Sequence, residues 1–263
     1  MARTVTANLR KLVLSPGKTL IAPGAADALS ARLIESHGYE CVYIGSYATA
    51  ASRFGLTDSG LLSLESLLAQ ARTISQAVRV PVIADAESGF EDPSLTVKAF
   101  EEAGVAAIHI EDHTGAGKHT DLPQKLLSKE RAAERIRAAV AARRNPDFLI
   151  AARSDAFWVH RDLEDCIARL QLYAEAGADM VFPTMVGAAE LAEVRRRLAK
   201  PLMIVDIPGE QHHGAAVVLY YAFSITRQFA ALQRALADGK LASDTGPLED
   251  FLGYKDARGR GQE

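Results

Sequence analysis

The sequence predicts an α/β fold, specifically a (β/α)8 TIM barrel of parallel strands, and three observations carry the prediction. Short apolar runs suited to buried parallel strands recur along the chain. Amphipathic segments with apolar residues at three- and four-residue spacings lie between them, the alternation that marks βα units. Several of these segments stop at a glycine just before the next apolar run. Eight such units close a barrel, although periodicity by itself also suits a doubly wound sheet. A chain of 263 residues is ordinary for one such domain, since barrels typically take about 250.

Taken in order, strands are expected at 20–22, 41–44, 82–85, 107–110, 149–153, 180–182, 202–206 and, more weakly patterned, 215–219. Helices are expected at 26–36, 61–78, 93–103, 129–143, 163–176, 188–198 and 221–238, with charges on the face away from the apolar stripe. Gly38, Gly104 and Gly177 each follow a helical segment and precede a strand, where a left-handed residue ends a helix. Residues 242–263 turn polar and Gly-rich around Asp244-Thr245-Gly246-Pro247. They read as an arm or frayed tail on a single domain spanning 1–263.

Composition narrows the function classes. Hydrophobic residues make up 48% and charged residues 24%, ordinary for a globule with a sizeable core. A formal net charge of −3 argues against a general nucleic-acid or acidic-membrane partner, which needs a cationic face. Cys41 and Cys166 lie in apolar stretches far apart, so they read as core thiols, with neither a disulfide framework nor a zinc knuckle. The N-terminal stretch has no apolar signal core, and no run approaches the roughly 18 apolar residues of a membrane helix. The expected location is the cytoplasm.

In a parallel barrel the chemistry collects at the C-terminal ends of strands. Here those ends are acidic: Asp85-Ala86-Glu87 follows the third strand, Glu111-Asp112-His113 the fourth, and Asp58 lies on a longer loop after the second. Carboxylates converging on one mouth repel each other unless a cation joins them or some stay protonated. Oxygen ligands suit a hard divalent ion such as Mg²⁺, which takes one or two carboxylates directly and keeps several waters. Asp85 is the expected direct ligand. Any one of these acids could instead cap a helix N-terminus.

Arg153 ends the fifth strand, where a guanidinium can grip a substrate carboxylate with two hydrogen bonds; its alternative is an internal ion pair with Asp155 or Glu111. Gly45-Ser46-Tyr47 follows the second strand as a loop able to offer backbone N–H groups to an oxyanion. The run Thr114-Gly115-Ala116-Gly117-Lys118-His119-Thr120 fails the phosphate-loop pattern, since Asp112 stands where the first glycine belongs and His119 where Ser or Thr belongs. It reads as a Gly-hinged lid that could bring Lys118 and His119 to the site.

The strings PGAADALSARLIESHGYECVYIGS, GLTDSG, VPVIADAESGF, IHIEDH, FLIAARSDA and YAEAGADMVFP, in this order, resemble successive motifs of the isocitrate lyase / phosphoenolpyruvate mutase superfamily from about residue 20 to about residue 235. The resemblance implies Mg²⁺-dependent cleavage or formation of a C–C or P–C bond in a small 2-oxo or 2-hydroxy di- or tricarboxylate, through an enolate-like species. Mn²⁺ is the expected substitute ion. It implies Asp85 on the metal, Asp58, Glu87 and Glu111 around it through water, and Arg153 with Ser46 and Tyr47 on the keto-acid end. Thr184 and Asp206 would face substrate, with Lys118, His119, Glu111 and Arg153 as catalytic candidates. It also implies a homotetramer, a dimer of dimers that swaps its C-terminal helix.

The lid reads Gly117-Lys118-His119-Thr120-Asp121, without the K-[KR]-C-G-H motif of isocitrate-type lyases or the K-T-N-S type of the phosphonate enzymes. It is more similar to the oxaloacetate decarboxylase / carboxyvinyl-carboxyphosphonate phosphorylmutase-like branch. Pro183-Thr184 stands where lyases often have Pro-Glu, Asp206 where many have Asn, and Glu87 where Asp is commoner. A lyase or decarboxylase is therefore the expected activity, with a phosphonopyruvate-type hydrolase or mutase, or a keto-acid-binding barrel without turnover, as the alternatives.

Overall fold

The computed structural model describes residues 2–60, 62–114, 125–207, 212 and 214–254, with side chains from Val5 on. Helix α1 (Ala2–Val13) comes first, followed by β1 (Leu20–Pro23), α2 (Ala28–Ser36), β2 (Val42–Ile44), α3 (Ser46–Phe54), α4 (Leu64–Ala77), β3 (Val82–Asp85) and α5 (Pro93–Ala103). The chain continues through β4 (Ala107–Glu111), α6 (Lys129–Ala142), β5 (Leu149–Ser154), α7 (Ala156–His160), α8 (Leu163–Glu175), β6 (Met180–Pro183), α9 (Ala188–Arg197), β7 (Met203–Val205) and β8 (Val217–Tyr220). Helices α10 (Phe223–Ala237) and α11 (Gly246–Leu252) end it. The chain divides into two units, Met1–Ile225, which holds every strand, and Thr226–Glu263.

All the strand pairs are parallel, in the orders β1-β8-β7 and β2-β3-β4-β5-β6. Parallel bridges Gly24↔Tyr43 and Val181↔Leu202 join the two runs at both ends. The ring is thereby closed, which decides between a barrel and an open doubly wound sheet.

Because an extended strand sends alternate side chains to opposite faces, each strand is buried twice. The inward set, including Leu20, Ala22, Tyr43, Ile83, Ala107, Ala151, Phe182, Met203 and Leu219, packs as one cluster inside the barrel. The outward set, including Ile44, Ala84, Ile108, Ile150 and Val181, packs with apolar faces of α2, α4, α5, α6 and α8 in a second cluster. Alanines on β1, β4 and β5 leave room within the barrel for the larger Tyr43, Phe182 and Met203.

Helix boundaries follow local chemistry. Asp92 accepts from the amides of Ser94 and Leu95 to start α5, with Pro93 in the first turn, and Gly104 ends it at φ 88°. Helices α1, α3, α7 and α11 lie outside the segments expected to be helical. Two of these are single-turn or two-turn pieces, too short to show a face in the sequence. In α11 the Gly246-Pro247 pair that reads as a break instead begins a helix, a position where proline's missing N–H costs nothing.

An outward-facing network fixes the end of β4. Asp112, almost fully buried, accepts from Ser154 Oγ (3.0 Å), the Asp155 amide (2.9 Å), Arg169 Nη1 (3.2 Å) and Tyr173 OH (2.8 Å). Burial, and then the nearby Asp155, push its carboxyl above the usual range, against the pull of Arg169 and Tyr173. The network ties β4 and β5 to α8. Asp112→Ala is expected to destabilise the barrel by about 3–5 kcal/mol, since it removes the buried carboxylate that Ser154, the Asp155 amide, Arg169 and Tyr173 all share, although Arg169 keeps its pair with Asp165. Urea unfolding reads this directly, and a loss below about 1 kcal/mol would remove the network from the stability argument.

Candidate active site

The same strand parity that fills the barrel also builds its mouth. Continuing the inward positions by two residues takes Tyr43 to Gly45, Ile83 to Asp85, Ala107 to His109 and Glu111, Ala151 to Arg153, and Phe182 to Thr184. The apolar interior thus gives way to polar groups on one level. A cavity of about 160 Å³ opens there, lined on its polar side by Ser46, Asp58, Asp85, Arg153 and Thr184. No helix among the described residues is long and apolar enough to cross a membrane.

Asp85 sits at the centre of the acidic set. Its Oδ2 accepts from Ser46 Oγ at 2.9 Å, and its Oδ1 accepts from the Glu87 amide at 2.8 Å. Ser46 Oγ also lies 3.0 Å from Asp58 Oδ2. A hydroxyl has one proton, so the two carboxylates share one donor and their repulsion is not discharged by it. Glu87 is held at φ 49°, left-handed for a residue with a side chain, by its bond to Asp85 and by the bond from the Glu111 amide to its carbonyl.

Arg153 is buried and makes both ion pairs open to it, with Glu111 (Nη1–Oε2 3.0 Å) and with Asp155 (Nε–Oδ1 2.6 Å, Nη2–Oδ2 3.0 Å). Those bonds use three of the five guanidinium N–H donors, leaving two at a group that lines the cavity. Burial alone would lower its pKa, but Asp155 and Glu111 more than offset that and hold it well above the usual arginine value. Phe182 lies beneath it, with the guanidinium 5.5 Å from the ring centre.

The donor set fits a divalent cation. Asp58, Asp85, Glu87, Glu111 and Asp155 are all buried here, and among the described residues that line the mouth Arg153 supplies the one guanidinium against them. Asp85, His109 and Glu111 each offer an atom within 4.8 Å of the others. A buried excess of carboxylate charge on this scale is stabilised by a doubly charged ion and opposed by its absence.

His109 was not expected from the sequence. Its Nε2 lies 2.9 Å from Tyr43 OH and its Nδ1 3.7 Å from Asp85 Oδ1, so Tyr43 orients the ring towards the acids. Its only sequence signal is an inward register between Ala107 and Glu111. Tyr43→Phe is expected to weaken divalent-cation binding about tenfold or more, the usual effect of losing a group that orients a ligand. Calorimetric titration would show it, and unchanged affinity would sink the role.

A profile of the phosphoenolpyruvate phosphomutase family matches residues 9–238. The chain belongs to that family. This family member is 41% identical over 180 residues to a 2,3-dimethylmalate lyase of Eubacterium barkeri, covering 67% of this chain and 62% of that one. The match thus spans less than two thirds of the curated relative's length. A solved 2,3-dimethylmalate lyase, described as a PEP mutase/isocitrate lyase superfamily member, superposes with a TM-score of 0.87 at 29% identity over 98% of this chain and 97% of that one. An oxaloacetate acetylhydrolase in complex with 3,3-difluorooxalacetate superposes equally well, at 0.87 and 27% identity, over 98% of each chain.

In this family member the mouth gathers most of the residues singled out in the sequence. Ser46, Tyr47, Asp58, Asp85, Arg153 and Thr184 line one cavity, while Glu87 and Glu111 line an adjoining one and meet the first through Asp85 and Arg153. Ser46 and Tyr47 belong to the first turn of α3 rather than to a loop, and the Ser46 amide points at Asp85 Oδ2 (3.4 Å). Asp206 follows Val205 and lines a neighbouring depression that shares Met185 and Val205 with the cavity. Lys118 and His119 lie outside the described residues.

The cysteines are buried, and burial pushes the Cys166 thiol up to about 12, which leaves it protonated and unreactive. Trp158, Phe182 and Tyr221 also line the mouth; in the sequence Phe182 reads only as a strand residue, Tyr221 only as a helix residue, and Trp158 falls between expected elements. Burial, and then Tyr47 and Asp58 nearby, raise the Tyr221 phenol, keeping it neutral.

Proposed function

We propose that the chain is a Mg²⁺-dependent lyase or decarboxylase that cleaves a C–C bond of a small 2-oxo or 2-hydroxy di- or tricarboxylate, with Mn²⁺ able to substitute. The observation that carries the reading is the ring of buried carboxylates around Asp85 with one guanidinium, at the C-terminal mouth of a parallel barrel. The likeness to a 2,3-dimethylmalate lyase supports the reaction class.

In this reading Asp85, His109 and Glu111 would hold the ion, with the carboxylates of Asp58 and Glu87 adding to the negative charge around it. When bound, the ion supplies a Lewis acid for the oxygen of the reacting carbon. Arg153 uses its two remaining donors on the substrate carboxylate and fixes its orientation. It also neutralises the acid end, so that the enolate-like charge created by cleavage is tolerated. Thr184 Oγ1, buried and without a hydrogen bond among the described residues, is placed to meet a substrate oxygen. Decarboxylation needs no acid for a departing carbonyl fragment, so a lid without Cys is compatible with it, and His119 or water returns a proton to the enolate carbon.

Release of pyruvate or glyoxylate from oxaloacetate, isocitrate, methylisocitrate, dimethylmalate and phosphonopyruvate, with Mg²⁺ and with EDTA, tests the reading. Turnover of one acid that EDTA abolishes is the expected result. Turnover indifferent to EDTA would overturn it. A second reading, hydrolysis of the acid, is favoured by the equal superposition on an oxaloacetate acetylhydrolase. Acetate or phosphate among the products would select it.

A cytoplasmic homotetramer that swaps its C-terminal helix is part of the proposal. It is supported by Phe229, Leu232 and Leu236, apolar and exposed on α10 at helical spacing. Light scattering of the full chain checks it, and a monomer would exclude it.

A further inference from the structure

The loop between β3 and α5 carries Glu87 to the mouth in a conformation that its own chain does not favour. Glu87 and Phe90 have φ of 49° and 55°, and Gly89 between them has φ 82°. Residues with side chains stay in this left-handed region only where their surroundings hold them there.

What holds them can be followed carbonyl by carbonyl. The Glu87 carbonyl accepts the Glu111 amide of β4 at 2.9 Å, and the Gly89 carbonyl accepts Thr96 Oγ1 of α5 at 2.8 Å. The Ser88 and Phe90 carbonyls both go to one side chain, Arg135 of α6. Its Nε and Nη2 donate to Ser88 at 3.0 and 2.9 Å, and Nη2 donates to Phe90 as well. Four successive carbonyls are thus tied to three elements, two of them through this guanidinium.

Arg135 lines neither cavity of the mouth, yet its charge is placed at a cost. Burial, and then Arg131 one turn away, push its pKa below the usual arginine value, with Asp92 only partly offsetting them. The charge is spent on main chain, where three of its five N–H donors converge on two carbonyls. The loop held this way walls the cavity that Glu87, Ser88, Phe90 and Glu111 line, and the Glu87 amide returns to Asp85 Oδ1. Release of the Ser88 and Phe90 carbonyls would let the left-handed turn relax. Glu87 is the adjacent residue, so its buried carboxylate would leave the acid set with them.

We propose that Arg135 is a positioning residue of the cation site: by holding the Ser88 and Phe90 carbonyls from α6, it keeps the Glu87 carboxylate in the set with Asp85 and Glu111. This rests on the proposed reading, in which that set holds a divalent ion. Arg135 touches no ligand and acts through Glu87, so its loss changes cation binding only while Glu87 is charged.

Calorimetric titration of the full chain with Mg²⁺ alone tests this on the unaltered chain, Arg135→Gln, Glu87→Gln and the double variant. Each single variant is expected to bind about tenfold more weakly, the usual loss when a group supporting a metal's ligands is removed. The double variant is expected to lie within about twofold of Glu87→Gln, because nothing remains for Arg135 to position. An arginine that serves only the fold would not give that pattern. Losses that multiply to about a hundredfold in the double variant overturn the proposal, as does an Arg135→Gln or a Glu87→Gln chain that binds as the parent does. Where Arg135→Gln does not fold, Arg135→Lys, whose ammonium ends one atom short of Nη2, makes the same comparison. Its expected loss is at least about threefold, again absent beside Glu87→Gln, and parental affinity overturns the proposal. All these outcomes leave the reading of the acid set standing. An unaltered chain that fails to bind Mg²⁺ overturns that reading and the proposal with it.

Discussion

Asp85→Asn is expected to fold as the parent does and to lose both divalent-cation binding and turnover, the latter by about 10²–10³-fold. The substitution keeps the shape of the side chain and removes its charge. Asn can still accept the Glu87 amide at the position of Asp85 Oδ1 and donate from its amide nitrogen, at the position of Oδ2, to the Ser46 hydroxyl oxygen, so the left-handed turn at Glu87 keeps its support. The set around it loses the carboxylate that connects Asp58, through Ser46, to His109 and Glu111. Losing one preorganised electrostatic contact to a transition state typically costs about 2.7–4 kcal/mol, and each 1.36 kcal/mol is about tenfold in rate. Calorimetric Mg²⁺ titration and pyruvate or glyoxylate release read the two losses separately. Cation affinity within about threefold of the parent would show that the acids serve the fold and not an ion.

Strand alternation explains how much of this site the sequence disclosed. Val82–Asp85 and Pro93–Ala103 were legible to the residue because an apolar run meets an acid at one end, and an Asp-Pro pair and a glycine bracket the helix. The mouth residues Asp85, Glu111 and Arg153 were legible for the same reason, as charges at the ends of apolar strands. His109 was not, because a polar residue inside a strand gives no sign of whether it faces neighbours or a site. Its role appears only once β3 and β4 are in register, with Asp85 opposite His109. Ser46 misled in the opposite direction: Gly45-Ser46-Tyr47 has loop composition, yet Gly45 caps α3 and turns the serine hydroxyl onto two acids. The gathering of Tyr47, Trp158 and Tyr221 at the mouth was illegible because they lie on three segments whose convergence is a property of closure, not of any local pattern.

Arg153→Lys is expected to leave the barrel folded and to lower kcat/KM by about 10²–10³-fold, and it separates the two readings of this arginine. The structure satisfies the bland one in full: the guanidinium pairs with both Glu111 and Asp155. If that were its whole purpose, a lysine ammonium, still one positive charge among the same acids, would serve nearly as well. What lysine cannot do is hold Asp155 through two atoms, reach Glu111 with a third and still present paired donors to a ligand, because its charge is a point and its donors diverge. Loss of a buried charge-assisted contact to a ligand costs about 2–5 kcal/mol, which brackets the expected fall. Arg153→Met supplies the contrast. It removes the guanidinium that two buried carboxylates share and is expected to destabilise the fold by about 3–5 kcal/mol, whereas Arg153→Lys is expected to cost much less. A lysine variant with full kcat/KM would make Arg153 an ion-pair residue only. One that folds normally but no longer binds oxalate in Mg²⁺ would place the carboxylate grip on the two donors that the ion pairs leave over.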